Sequence, residues 1–363
     1  MKKMLCGLVL LLFLCGTCFA AEVRDAQSDG LNLDALQNAA GEYGVKMDLE
    51  GGISLDSGLQ GLLDTGSGQI FGVVRKAVKS GVLLLCVVLL CGLAQGAGGV
   101  GGGKTMEGAS IAGALAIAAI SVSDVHSLIG MGKVAIENMG AFSKILLPTM
   151  AAASAAGGAP GGAAARQLAT MLFSDVLMTV ISGALLPLVY AYIAASTAQA
   201  ALGNEGLKRI ASLLKWTVTA VLTAIVAVFV GYLTVSGVIA GSTDAVAIKA
   251  AKLAMSGAVP VVGGILSDAA ETVLAGAGIL RNAVGVFGMI AILGMCLLPF
   301  LQLAIHYLVY KVAAALAATV AEGSGPALID SIGGAFGLVL GMTGSCALLL
   351  LISLVSGISA VTG

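Results

Sequence analysis

The chain reads as an all-α polytopic membrane protein of about six transmembrane helices. Three observations say so. Of its 363 residues, 58% are hydrophobic and only 10% charged, where soluble domains sit near a quarter charged. Mean hydropathy is +1.05. Apolar runs long enough to cross a bilayer, which needs about 20 residues each, recur along the sequence. The formal net charge of -1 and the 4% of aromatic residues provide neither the basic surface nor the stacking platforms that nucleic acid requires.

The first element is a secretory signal over residues 1–20. Lys2 and Lys3 form its basic start, residues 5–13 its apolar core, and Cys18-Phe19-Ala20 its small-residue cleavage site. Residues 21–80 follow as an extracytoplasmic region, too poor in apolar side chains to bury a core alone. Its last part, 70–79, sets Phe71, Val74 and Val78 against Arg75, Lys76 and Lys79, an amphipathic lead-in suited to the membrane surface.

Residues 81–363 form the transmembrane domain. Its spans are expected at about 81–100, 108–129, 168–200, 213–240, 284–310 and 327–360. The third is long for one crossing, and Pro187 is the obvious place for a kink. Cytoplasmic loops are enriched in Lys and Arg, so the loop with Lys208, Arg209 and Lys215 is expected inside, with Lys104 and Lys311. Arg75, Lys76 and Lys79 then fall outside, against that rule.

An internal repeat is also visible. Val134-Ala135-Ile136, Pro148 and Leu185-Leu186-Pro187 return 112 residues later as Val246-Ala247-Ile248, Pro260 and Leu297-Leu298-Pro299. Two parallel units, about 108–200 and 213–312, would each hold a span, an amphipathic segment, a Pro-broken or re-entrant element and a second span. Repeats of this kind are common in transport folds.

No catalytic, cofactor-binding or metal-binding residues emerge. GGVGGGKT at 98–105 satisfies the phosphate-loop pattern, but that chemistry needs a strand before it and an acidic metal partner. Here a membrane-length run precedes it, so a flexible turn is expected. Cys86, Cys91, Cys296 and Cys346 lie in apolar runs without a CxxC or His partner, so they are expected to act as small hydrophobes. Asp268 and Glu271 share a helix face at i,i+3 but have no nucleophile or His nearby; Ser267-Asp268 reads better as a helix N-cap.

The ionisable residues in or beside apolar runs are Asp124, His126, Asp175, Asp268, Glu271, Arg281, His306 and Asp330. A charge at the bilayer centre costs about 2.5–3.5 kcal/mol on insertion scales, so each must face a cavity, a partner or an interface. Asp124, His126, Asp268 and Glu271 have Ser and Gly neighbours and are expected near span ends. Asp175 and His306 sit inside spans and are the candidate intramembrane polar residues.

The stretch 250–288 is the most distinctive. Pro260, Gly263 and Gly264 interrupt a helix, and Ser267 and Asp268 follow at once; the expected structure is a broken or re-entrant element. Irregular backbone at membrane depth survives only where protein or water satisfies it. The same stretch carries Ala251-Lys252, Ala254, Ser256, Val259-Pro260-Val261-Val262-Gly263-Gly264, Leu266-Ser267-Asp268-Ala269, Glu271-Thr272-Val273-Leu274 and Asn282-Ala283-Val284-Gly285. This block closely resembles that of the stage III sporulation protein AE family. Leu308-Val309-Tyr310-Lys311-Val312-Ala313-Ala314-Ala315-Leu316, Gly231-Tyr232-Leu233 with Ser236-Gly237, Leu185-Leu186-Pro187 and an early Leu-Asn-Leu-Asp-Ala-Leu at 31–36 extend the resemblance. It departs in the Gly-rich loop after the first span and in the Ala/Gly-rich stretch 151–165.

The resemblance implies a part in endospore formation, in the mother-cell membrane around the forespore, within a multiprotein channel or secretion-like complex. It implies a cytosolic ATPase, ring-forming membrane proteins and a forespore membrane protein as partners. The expected role is a pore-lining or export-gate-like bundle, with the Pro148 and Pro260 elements as its broken segments. The alternatives are a stand-alone secondary transporter and a scaffold without a pore.

Overall fold

A computed structural model describes the backbone of residues 33–42, 55–98, 103–156, 162–258, 263–321 and 324–359. The described residues form helices α1 (Leu33–Glu42), α2 (Leu55–Gly98), α3 (Gly103–Ala156), α4 (Gly162–Val180), α5 (Leu186–Leu202), α6 (Glu205–Ala258), α7 (Gly263–Val320) and α8 (Ser324–Ser359). A single π-turn, Ile181–Leu185, joins α4 to α5. Helix is what an apolar chain must adopt in lipid, since every backbone N–H and C=O then finds its partner within the segment. The expected signal peptide lies outside the described residues.

Among the described residues, six stretches are long and apolar enough to cross a membrane: Gly68–Ala94, Ser110–Ala153, Ala169–Leu202, Glu205–Tyr232, Asn282–Val320 and Ser324–Val355. Each covers an expected span in whole or in large part, and several run well past its bounds. The amphipathic stretch 70–79 is not a separate surface helix. It is continuous with the first span inside α2, which runs through Ser80-Gly81 without a break.

Cross-contacts fix the direction of each span. A β-carbon on Gly113 would touch the Cys91 sulfur across α2 and α3, and one on Gly132 would stand 3.4 Å from Leu303 across α3 and α7. Successive spans run antiparallel. Alternate helix junctions, α2 to α3, α5 to α6 and α7 to α8, therefore gather at one end, where the Ser324 hydroxyl donates to Ala200 O at 2.7 Å and lies 3.2 Å from the Ser110 hydroxyl. One small side chain thus ties α3, α5 and α8 together.

The tight turn at this end follows from its sequence. Gly203 takes φ 68°, the left-handed conformation a side chain would resist, and its N–H closes α5 on Gln199 O at 2.8 Å. Asn204 Oδ1 then accepts from Gly206 N–H at 2.7 Å, capping α6, whose first turn carries Glu205 against the positive helix end.

Prolines act differently at different sites. Pro187 has no N–H to donate, and the π-turn sits immediately before it, with Leu186 N–H reaching back to Ile181 O. The expected irregularity in this span is there. At Pro148 the expected break is not: α3 runs through it to Ala156. Pro299 likewise lies inside α7. Membrane-type packing tolerates such prolines when neighbours re-satisfy the backbone.

The core is built around α7 and α8, the most extensive helix pair, with Phe287, Phe336, Tyr310, Phe142, Met139 and Ile136 fully buried. Glycines let the helices close up. A β-carbon on Gly333 would be 3.0 Å from Tyr310 Cβ, and one on Gly337 would be 3.0 Å from the Tyr307 ring. Helix α1 adds Leu36 and Ala40 to this core and packs on α3. The helix boundaries do not reproduce the 112-residue period: α3 and α6, each of 54 residues, begin at 103 and 205.

Candidate functional site

The helix pair α7–α8 carries a layer of polar side chains through an otherwise apolar bundle. Tyr192 on α5, Lys215 on α6, Tyr310 on α7 and Gly334 on α8 each lie ten residues from the helix end at the shared turns. At 1.5 Å per residue that is a common depth of about 15 Å.

The inner half of the layer joins α3 to α7. Tyr310, fully buried, donates its hydroxyl to Asp124 Oδ2 at 3.0 Å. Asp124 is 4% exposed and Ser121, one turn earlier on the same face, 1%. Ser121 stands beside the Tyr310 hydroxyl, yet its Oγ makes no hydrogen bond within the chain. His306, one turn before Tyr310, pairs Nδ1 with Gln302 O at 2.8 Å, while Nε2 is buried without a partner. Phe336 of α8 fills the space between them, edge-on to Tyr310 at 5.0 Å and to His306 at 6.3 Å between centroids.

The outer half joins α7, α8, α5 and α6. Lys311 Nζ bonds Asp330 Oδ1 at 2.6 Å, and its ammonium lies 6.0 Å from the Tyr307 ring centroid. The Tyr192 hydroxyl is flanked by Ser331 and Ser196. Gly334 leaves the space into which two further groups point: its β-carbon would stand 3.3 Å from Tyr192 Oη and 3.7 Å from Lys215 Nζ. A side chain here would displace one or both.

The residues singled out in the sequence are distributed unevenly over this geometry. His306 belongs to the layer. Asp175 does not: it faces outward on α4, more than half exposed, and pairs with Lys144 of α3 at 3.1 Å. Asp124, expected near a span end, is instead interior, whereas His126 two residues on is exposed. Pro260 lies outside the described residues. Gly263, Gly264, Ser267 and Asp268 fall in the first turns of α7. Since that helix starts at Gly263, Ser267 and Asp268 lie inside it and the expected N-cap role is corrected. The phosphate-loop-like 98–105 stretch follows a 44-residue helix and not a strand, which denies it the geometry that nucleotide binding needs.

Chemically, the layer offers one carboxylate held by a phenol, one ion pair, a second lysine and three serine hydroxyls. Among the described residues no three His, Cys, Asp or Glu side chains are grouped as a metal would need. The cysteines Cys296 and Cys346 are buried in the core.

Among the described residues, fold and site define an α-helical membrane protein with six membrane-length apolar stretches and a polar layer between helices, buried at Asp124 and partly exposed at Lys311 and Asp330. The family model for Stage III sporulation protein AE matches residues 48–361, covering all six spans, and the chain belongs to that family. It is similar to Stage III sporulation protein AE of Bacillus subtilis (strain 168), at 23% identity over 209 residues, covering 58% of this chain and 52% of that protein. The match thus spans about half the length of that relative. No solved structure matches the chain.

Proposed function

We propose that this protein is an integral membrane subunit of the multiprotein, secretion-like channel complex that joins mother cell and forespore during endospore formation. It sits in the mother-cell membrane and works with other stage III sporulation proteins, a cytosolic ATPase and ring-forming membrane proteins among them, and with a forespore membrane partner. It acts as a gate-like bundle and has no enzymatic role. The carrying observation is the polar layer inside a chain whose family match covers every span. Setting the shared turns at one face of a hydrocarbon core about 30 Å thick puts that layer, about 15 Å deep, near the midplane. Polar groups at such depth are costly and mark substrate or ion pathways.

The same placement leaves material outside the bilayer for partners. Helices α6 and α7, of 54 and 58 residues, are about 80 Å or more long, well beyond one crossing. Residues 250–258 of α6 and 263–281 of α7, with Gly263, Gly264, Ser267 and Asp268, belong to this overhang and serve for docking. The Lys144–Asp175 pair also falls beyond the core. This overhang favours a second reading, a scaffold without a pore.

The test is made in sporulating cells with Lys311→Asp, Asp330→Lys and the double exchange. A gate role predicts loss of spore formation in each single variant at normal protein level, with recovery in the double. A scaffold would tolerate all three. Solute flux by the purified protein alone in vesicles would instead make it a stand-alone transporter.

A further inference from the structure

We propose that Asp124 is a reversible binding site for a small monovalent cation, a proton or Na⁺, inside the bundle. This goes beyond the channel reading and does not rest on it, since it concerns the isolated protein.

The Asp124 carboxylate is 4% exposed and has no Lys or Arg in ion-pair contact among the described residues. One oxygen accepts from Tyr310 at 3.0 Å. An ionised carboxylate so placed is costly unless a positive charge joins it. The groups around it are those that would receive one. Ser121, from its own helix, keeps a buried hydroxyl oxygen with no partner, beside the Tyr310 hydroxyl. From α7, His306 keeps Nε2 buried and unpartnered within electrostatic reach of Asp124. From α2, Lys76 acts on His306 but pairs with neither, and from α8 the residue facing this cluster is the apolar Phe336. Carboxylate, phenol and hydroxyl are hard oxygen donors, suited to a proton or to Na⁺ and not to soft metals. A buried serine hydroxyl beside the phenol, and an imidazole Nε2 without a hydrogen bond one turn away on the phenol's helix, flank a carboxylate without a counter-cation, as an unloaded site of this kind would leave them.

The experiment uses the purified full chain in lipid nanodiscs and the carbodiimide dicyclohexylcarbodiimide, which attacks protonated carboxyls in apolar surroundings. Modification is mapped by mass spectrometry over a pH series, with NaCl or choline chloride. The site predicts modification at Asp124. If the cation is a proton, modification falls as pH rises and is indifferent to Na⁺. If it is Na⁺, NaCl suppresses modification at fixed pH and choline chloride does not. Asp124→Asn removes the adduct. Mapping on the unsubstituted protein makes the result independent of how that variant folds. Absence of modification at Asp124 at every pH, or modification indifferent to both pH and Na⁺, would overturn the assignment.

Discussion

At the scale of residues, the Tyr310–Asp124 bond and the Lys311–Asp330 pair differ in what they are worth. Tyr310 and Asp124 are both buried, so removing the phenol hydroxyl leaves a carboxylate oxygen without its donor. Tyr310→Phe is expected to lower stability by about 1–3 kcal/mol, the cost of a buried polar group left unsatisfied. Thermal unfolding in nanodiscs checks this. Lys311 and Asp330 are 30% and 52% exposed; in water such a pair would contribute at most about 1 kcal/mol. Its effect on stability is therefore expected to be small in detergent, and its effect on function large.

These two contacts were also the hardest to read from sequence. Asp124 is surrounded by Ser121, Ser123 and His126, which look like a span end. Its partner is 186 residues away. Nothing local announces that Tyr310 will reach it. His306 stands out because it lies inside a membrane-length apolar run. Tyr310 and Lys311 lie within a motif that carries the family resemblance, and that motif and His306 are the sequence signals for the layer.

At the scale of elements, glycine and proline set how the helices meet. Gly333 and Gly337 place α8 against Tyr310 and Tyr307 with almost no room. Gly337→Leu must force the Tyr307 ring or the helix aside, and overpacking of this kind costs about 1–3 kcal/mol. Reduced thermal stability and loss of spores are expected together. Pro187→Ala restores an N–H after the π-turn and is expected to leave stability within about 1 kcal/mol, since it removes a constraint and no packing. Hydropathy made six spans legible because lipid demands length and apolarity together. It could not show that 70–79 continues the first span, or that Pro148 fails to break α3, since both depend on neighbouring helices.

At the scale of the whole molecule, the bundle is longer than a bilayer is thick. With the turns at one face, Lys144 and Asp175 lie in water on the other side, and Tyr190 lies within lipid. Single cysteines at 144 and 175 are expected to react with a membrane-impermeant maleimide, and one at 190 to resist it; the reverse pattern would place the membrane differently. The family match spans 48–361, so this placement bears on the spans that the family holds in common.

A gate of the kind proposed requires the polar layer to open to water when the complex is assembled. It is tested by replacing Cys86, Cys91, Cys296 and Cys346 with Ala and introducing Ser121→Cys, Ser196→Cys or Ser331→Cys singly. Labelling by a membrane-impermeant thiol reagent is then measured in sporulating cells, with and without the cytosolic ATPase. Gating predicts labelling at these positions in cells that hold the ATPase, and protection in cells that lack it. Protection in both, with sporulation intact, would contradict a gate and leave a packed scaffold.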